Sequence, residues 1–160
     1  MDAQALLECL RESAGDPDWA GSRNEWVKSL ASGKKGKVGE NLVSAVLGAA
    51  PAKNNKAGYD LALDGMRIEV KLACTGKKNG YPYIQWPQIR PEDPYTHIAF
   101  VAVYPDKTRV FLVPKEDIPE EAMLHMHGRD KSLGIFCITT RKLDELFDWM
   151  TKHEVGQDKT

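Results

Sequence analysis

The chain has 160 residues, 42% of them hydrophobic, and a formal net charge of −1. That length and apolar content suffice for one domain with a sizeable core, and the near-neutral balance excludes a polybasic, histone-like nucleic-acid binder. The three cysteines, Cys9, Cys74 and Cys137, lie far apart with no CxxC spacing, so the chain carries neither a zinc signature nor a disulfide framework, and a reducing, cytoplasmic setting is expected.

At the N-terminus, MDAQALLECLRES lacks the layout of a signal peptide, and no apolar run approaches the roughly 18 residues of a membrane span. A soluble chain without membrane association is expected. Ala5, Leu6, Cys9 and Leu10 fall at helical spacing, which predicts a helix over 2–14 ended by Gly15-Asp16-Pro17, and a second short helix follows over 22–31. After Gly33-Lys34-Lys35-Gly36, residues 37–49 place Val38, Leu42, Val46 and Ala49 on one helix face until Pro51 blocks continuation. Glu40 sits on this helix.

A polar loop over 51–58 leads to a change of period from about 3.6 to 2. Tyr59-Asp60-Leu61-Ala62-Leu63 and the stretch from Met66 to Leu72 alternate apolar with polar residues, and Asp64-Gly65 between them is a strong two-residue hairpin signal. With those two as the turn, Leu63 faces Met66 and, by the same register, Asp60 faces Glu69. Glu69 and Lys71 then share the face of Asp60. Carboxylates directly opposed across strands, with Cβ atoms roughly 5 Å apart, are destabilising unless something positive lies between them. Hard oxygen ligands of this type select Mg²⁺ or Mn²⁺ over zinc. An exposed polar face neutralised by Lys71 is the plainer account of the same spacing.

Residues His97 to Tyr104 form an almost wholly apolar run that suits a central strand buried on both faces. Arg109 to Val113 should pair with it across Pro105-Asp106-Lys107-Thr108, and Leu143, Leu146, Phe147 and Met150 predict a closing helix over 141–152. Helices flanking a mixed sheet make an α/β (α+β) sandwich.

Charge is spread unevenly. From Lys28 to Lys78 there are ten basic and four acidic residues, against two and six in residues 1–27. A basic stretch within an acidic chain suits a polyanionic ligand, and equally a solvated lysine-rich surface.

Taken in order, the helix glutamate Glu40, Gly58-Tyr59-Asp60 and Glu69-Val70-Lys71 resemble the PD-(D/E)xK nuclease superfamily, the fold of many restriction endonucleases and of archaeal Holliday junction resolvases. The resemblance spans roughly 37–115; Tyr59 stands where the namesake proline would. It implies a restriction-endonuclease-like mixed β-sheet flanked by helices, in a single domain over 1–160 with N-terminal helices in 1–32, a catalytic core in 37–115 and the closing helix in 141–152. It also implies Mg²⁺-dependent endonucleolytic hydrolysis of DNA, with Mn²⁺ as a substitute. Asp60 and Glu69 would bind the metal, with the Val70 carbonyl as a further ligand. Glu40 would serve a second metal or its water, and Lys71 would hold or deprotonate the attacking water. Two-strand cleavage would call for a homodimer. A Holliday junction resolvase or nicking repair nuclease is the alternative within this class, and a catalytically idle DNA-binding module of the same fold is the alternative outside it.

Several further residues are candidates for nucleic-acid contact. Lys34, Lys35 and Lys37 precede the Glu40 helix, where lysines and free backbone N–H groups can meet a phosphate. Lys77 and Lys78 lie in a basic loop, and Gln85, Gln88 and Arg90 come next in an aromatic, polar stretch, in which Tyr83, Trp86 and Ile89 are equally suited to packing under the sheet. His125 and His127 have no third metal ligand nearby in sequence and read as loop residues, while Trp19, Trp26 and Trp149 read as packing residues.

Overall fold

The computed structural model describes residues 2–7, 18–54, 57–78, 80–119, 122, 137–140, 143 and 145–156. In chain order the elements are α1 (3–7), α2 (Glu25–Lys28), α3 (Ser32–Leu47), β1 (Ala50–Pro51), β2 (Leu61–Leu63), β3 (Met66–Cys74), β4 (Gly76–Lys78), β5 (Tyr81–Pro87), β6 (His97–Val103) and β7 (Thr108–Pro114). Beyond these lie a 3-10 turn (Lys115–Asp117), β8 (Cys137–Thr140), α4 (Asp148–Thr151) and β9 (Glu154–Val155). Six strands form one sheet in the order β1-β2-β3-β6-β7-β9, and β4-β5-β8 form another. The β3–β6 pair is parallel and the other pairings are antiparallel, so this is a mixed α/β arrangement with few helices.

The core follows from the alternation along β6. Ile98, Phe100 and Ala102 point to one side and meet Trp86, Phe111 and Met150. Ala99, Val101 and Val103 point to the other and meet Val43, Ile68 and Val70. An unbroken apolar run therefore serves two cores at once, as its composition predicts. The β2–β3 hairpin forms with the expected register, Leu63↔Met66 through Leu61↔Ile68. Asp64 (φ 46) and Gly65 (φ 82) both take positive φ, as a type I′ turn requires.

The helix carrying Glu40 differs from expectation at both ends. It starts at Ser32, so Lys34, Lys35 and Lys37 lie within it, and the Lys35 N–H is spent on the Ala31 carbonyl. The N–H groups of the first turn that have no intrahelical partner are therefore those of residues 32–34, at the start of this helix, and not groups preceding residue 37 in a loop. Gly48, in a left-handed conformation (φ 73), ends the helix before Pro51 is reached, and Pro51 instead pairs with Leu61 in β1–β2. The inward face is also rotated: Gly39 and Val43 are buried while Val46 is 47% exposed. Gly39 sets this rotation, since its missing side chain lets the helix press against β3. A Cβ there would lie 3.1 Å from Leu72 Cβ and 3.3 Å from Val70 Cγ1. Gly39→Val should therefore force α3 off the sheet and cost about 2 kcal/mol. Urea unfolding checks this, and an unchanged midpoint would contradict the close contact.

Other expectations are corrected as well. The second helix is one turn, Glu25–Lys28, instead of 22–31. The closing helix is likewise one turn, Asp148–Thr151, and Phe147 before it is extended (ψ 136), so the helical spacing of its apolar residues arises from a loop followed by a turn. The stretch around 76–87 reads in sequence as a basic loop and a substrate-contacting segment; it is a β-hairpin whose Ile84 and Trp86 are buried, with Ile89 buried just beyond. Trp19 is buried and Trp149 packs against the core, but Trp26 is 58% exposed and does not pack as expected. Residues 8–17, which hold most of the predicted first helix, and His125 and His127 lie outside the described residues. Among the described residues no helix is long and apolar enough to cross a membrane.

Candidate active site

Strand β2 stops one residue short of Asp60, and that termination shapes the site. The Asp60 N–H donates to the Ile68 carbonyl (2.9 Å), off the register of the ladder, and Ala52 N–H donates to the Asp60 carbonyl (2.9 Å). Asp60 thus does not face Glu69 as a ladder pair, contrary to the extrapolated register. Its carboxylate instead turns to β3 and accepts a hydrogen bond from the Val70 N–H at Oδ2 (2.8 Å). In a strand the N–H and C=O of one residue point the same way, so the Val70 carbonyl is directed to the same open edge.

Glu69 and Lys71 occupy alternate positions on the other face of β3 from Ile68 and Val70. Their side chains are each 18% exposed and joined by an ion pair of 3.0 Å. Glu40 reaches the site from α3 and stands beside Asp60, with Lys37 Nζ 3.3 Å from its Oε2. All four residues singled out by sequence therefore fall in one neighbourhood, from α3, β3 and the segment that leads into β2. A cleft of about 310 Å³ opens onto Glu40 and Asp60, lined also by Lys37, Pro51, Ala52, Asn54 and Tyr59; Glu69 and Lys71 do not line it.

The electrostatics of this cluster are strained in one direction. Burial raises the Asp60 pKa above the ordinary carboxylate range, and the Glu40 charge adds to the rise, against the opposing Val70 N–H and Lys71 charge. Burial also raises Glu69, with Lys71 opposing and Asp60 reinforcing. A carboxyl whose pKa is raised by folding contributes stability when protonated; that contribution is lost as pH rises through the folded pKa. At neutral pH both groups therefore burden the fold. Asp60→Asn keeps an oxygen for the Val70 N–H and removes the charge. Without divalent cation it should melt about 2–4 °C above wild type at pH 7, or roughly 1 kcal/mol once solvent screening of this partly exposed group is allowed for. The gap should narrow toward pH 4, and thermal melts across that range decide it; a lower melting temperature at pH 7 would refute the charge strain.

Two features near the site receive no role from the sequence reading. Gly58, two residues before Asp60, has φ 78, and a Cβ on it would overlap the Pro94 ring. Tyr95 is 3% exposed and its hydroxyl has no hydrogen-bond partner among the described residues. Burial and the nearby Glu69 charge raise the pKa of that hydroxyl. A glycine ahead of the Tyr-Asp pair was the available signal for the first; nothing local marks the second.

The proposed nucleic-acid residues divide. Lys34 and Lys37 are exposed, Lys35 is half-buried, and Lys77 is exposed with Asp18 at 3.4 Å. Lys78 pairs with Tyr81 across β4–β5, its side chain lying outside the described part of the structure. Gln85 is half-buried on β5, whereas Gln88 (φ 61) and Arg90 are exposed beyond it. Among the described residues no three of His, Cys, Asp and Glu stand as a ready metal cage. No protein-family model matches the chain, and no curated protein is similar to it in sequence.

Proposed function

We propose that this chain is a metal-dependent endonuclease of the restriction-endonuclease-like, PD-(D/E)xK type, hydrolysing DNA phosphodiester bonds at Glu40, Asp60, Glu69 and Lys71. The observation that carries this reading is the turn of Asp60 out of the β2 ladder. It brings that carboxylate beside Glu40 and onto the Val70 N–H, next to the Glu69–Lys71 pair.

The donor set suits a small hard cation. Mg²⁺ takes one or two carboxylates and keeps waters and room for phosphate oxygens, so a cage of three carboxylates is not needed. Asp60 with Glu40 or Glu69 would hold it, the Val70 carbonyl being directed to the same edge, and their shared charge strain gives the protein a reason to take up a cation. When bound, Mg²⁺ or Mn²⁺ would supply Lewis-acid stabilisation of the phosphate oxygens.

The remaining work falls to the side chains. Lys71 carries a positive charge beside Glu69 and Asp60, where it orients an attacking water and offsets charge that develops on the phosphate. Glu40, on the opposite wall, accepts a proton or a hydrogen bond from water. The surrounding lysines give a polyanion a favourable approach. One such site cuts one strand, so paired cuts in a duplex require a second copy of the chain.

The decisive assay incubates the protein with supercoiled plasmid and with a synthetic four-way junction, in Mg²⁺, Mn²⁺ or EDTA. Nicked or linear plasmid appearing only with metal is the expected result. Preferential cutting of the junction would assign the chain to the resolvase alternative. Cutting in EDTA, or no cutting of either substrate with either metal, would overturn the proposal.

A further inference from the structure

A second cleft, of about 350 Å³, is lined by Lys28 and Lys35 on the helical side, Leu72 and Cys74 of β3, and Tyr83 and Gln85 of β5. Two of its four lining elements, α3 and β3, also carry residues of the site above. Lys35 lies five residues before Glu40 on α3, or about 7.5 Å along the axis. On β3, Leu72 and Cys74 lie on the face opposite to Glu69 and Lys71, while Ala73, which also lines the cleft, lies on their face two residues or about 6.6 Å beyond Lys71.

The positive side of the cleft is built in. The Lys28 ammonium donates to the Thr75 carbonyl and lies 4.8 Å from the centre of the Trp19 ring. Lys28 and Lys35 are both close enough to act on the Cys74 thiol electrostatically. An aromatic ring, Tyr83, stands beside the ammonium, the two closing over Gly76, which has no side chain to hold them off. A Cβ at Gly76 would meet Tyr83 Cε1 at 3.2 Å and Lys28 Nζ at 3.3 Å, so ring and ammonium border the same small space.

A held ammonium on Lys28, a second on Lys35, an aromatic ring, a side-chain amide and apolar Leu72 in one recess match the chemistry of a nucleotide: phosphate, π-face, base edge and sugar. The volume lies near the lower end of ligand pockets, about 300–1,000 Å³. A duplex, whose major groove alone is about 12 Å wide, is too large to enter. We propose that this cleft binds one nucleotide unit of a single strand, adjacent to the phosphate that is cut, with the phosphate on Lys28 and Lys35 and the base against Tyr83. The proposal rests on the nuclease reading for its place beside the cut, and it narrows the substrate to DNA with a single-stranded or displaced segment at the cleavage point.

The probe is a short single-stranded oligodeoxynucleotide carrying 2-aminopurine, titrated in EDTA against wild type, Lys35→Glu and Tyr83→Ala, with a blunt duplex of the same sequence as comparison. Wild type should bind the single strand at least about tenfold more tightly than the duplex and quench the fluorophore, since stacking and a basic groove together favour unpaired bases. Tyr83→Ala should abolish the quench and weaken binding about tenfold. Lys35→Glu should weaken binding and reduce its salt dependence. Thermal melts of both variants confirm that they are folded. If both bind and quench like wild type, or the duplex binds more tightly, the cleft is not a nucleotide site. Metal-dependent cleavage, run in parallel, separates the two readings: strand binding lost in the variants while wild type cuts nothing keeps the cleft and removes the nuclease. Wild-type cleavage with unaltered variants does the reverse.

Discussion

Lys71→Ala is expected to lower metal-dependent cleavage about a thousandfold, roughly 4 kcal/mol of transition-state free energy, while DNA binding stays within a few-fold of wild type. The size reflects two losses at once. The ammonium that would orient water and balance phosphate charge is gone, and so is the counter-charge 3.0 Å from Glu69. Lys71 opposes the burial-driven rise of both Asp60 and Glu69, so without it both carboxyls hold protons to higher pH. Residual activity of the variant should therefore climb with pH more steeply than that of wild type. A purely structural ion pair predicts otherwise: Lys71→Ala would lower the melting temperature, as it does under either reading, but leave cleavage by the folded fraction unchanged. Lys71→Met, which fills the same volume, supplies the control for packing. Undiminished cleavage by either variant would remove Lys71 from the site.

Asp60→Asn acts on the same balance from the other side. One substitution weakens the cation that restrains the carboxylates, and the other removes a carboxylate. Their effects on stability should be opposite in sign, and their effects on cleavage the same. This divergence is expected where charges are held together for a ligand's sake and not for the fold's. The Arg109–Glu154 pair, with its two bonds of 2.8 and 2.9 Å tying β9 to β7, is the contrasting case of opposite charges satisfied within the fold.

How far the sequence is legible depends on whether a residue's neighbours are local. The Asp64-Gly65 turn and the alternation on either side of it are set by adjacent residues, and they locate Glu69 and Lys71 on one face without further information. The run from Ile98 to Val103 is likewise legible because burial on both faces leaves no polar position. The end of β2 at Leu61 is not legible, since alternation continues through Asp60 and Tyr59 while the ladder does not. The strands at 76–87 are hidden by glycines, lysines and prolines that imitate a loop, and their pairing with β8 lies about fifty residues downstream. Helical spacing at 143–150 misleads for the reverse reason: a bend can bring the same residues to the same core as a helix would. Tyr83 faces Gly76 across the β4–β5 hairpin, but Lys28 reaches the same point only through a tertiary contact, so nothing in its local pattern marks the cleft.

Gly58→Ala should cost about 3 kcal/mol of stability and at least about a hundredfold in cleavage, more than any other single-methyl change near the site. Two penalties combine. The backbone there has φ 78, where a side chain costs roughly 1–2 kcal/mol. The added Cβ would also lie 2.5 Å from Pro94 Cδ and 2.9 Å from its Cγ. Proline cannot rotate away, and the Pro94 carbonyl is held by Arg67 Nε at 2.6 Å, so the strain must be relieved on the Gly58 side. Gly58 leads through Tyr59 directly into Asp60, whose N–H and carboxylate are fixed to β3 by single bonds to Ile68 and Val70. A shift of about 1 Å at that point is enough to misplace the carboxylate proposed to act in catalysis, and misplacement of a catalytic group on this scale costs about a hundredfold. Gly65→Ala provides the control, because φ is 82 there and nothing lies within 4 Å of the added atom. It should lose only the backbone share, about 1 kcal/mol, with cleavage retained. Urea unfolding of both variants, paired with the plasmid assay, measures the difference. Equal destabilisation of the two, with cleavage intact in Gly58→Ala, would show that the Pro94 contact does not hold Asp60 in place.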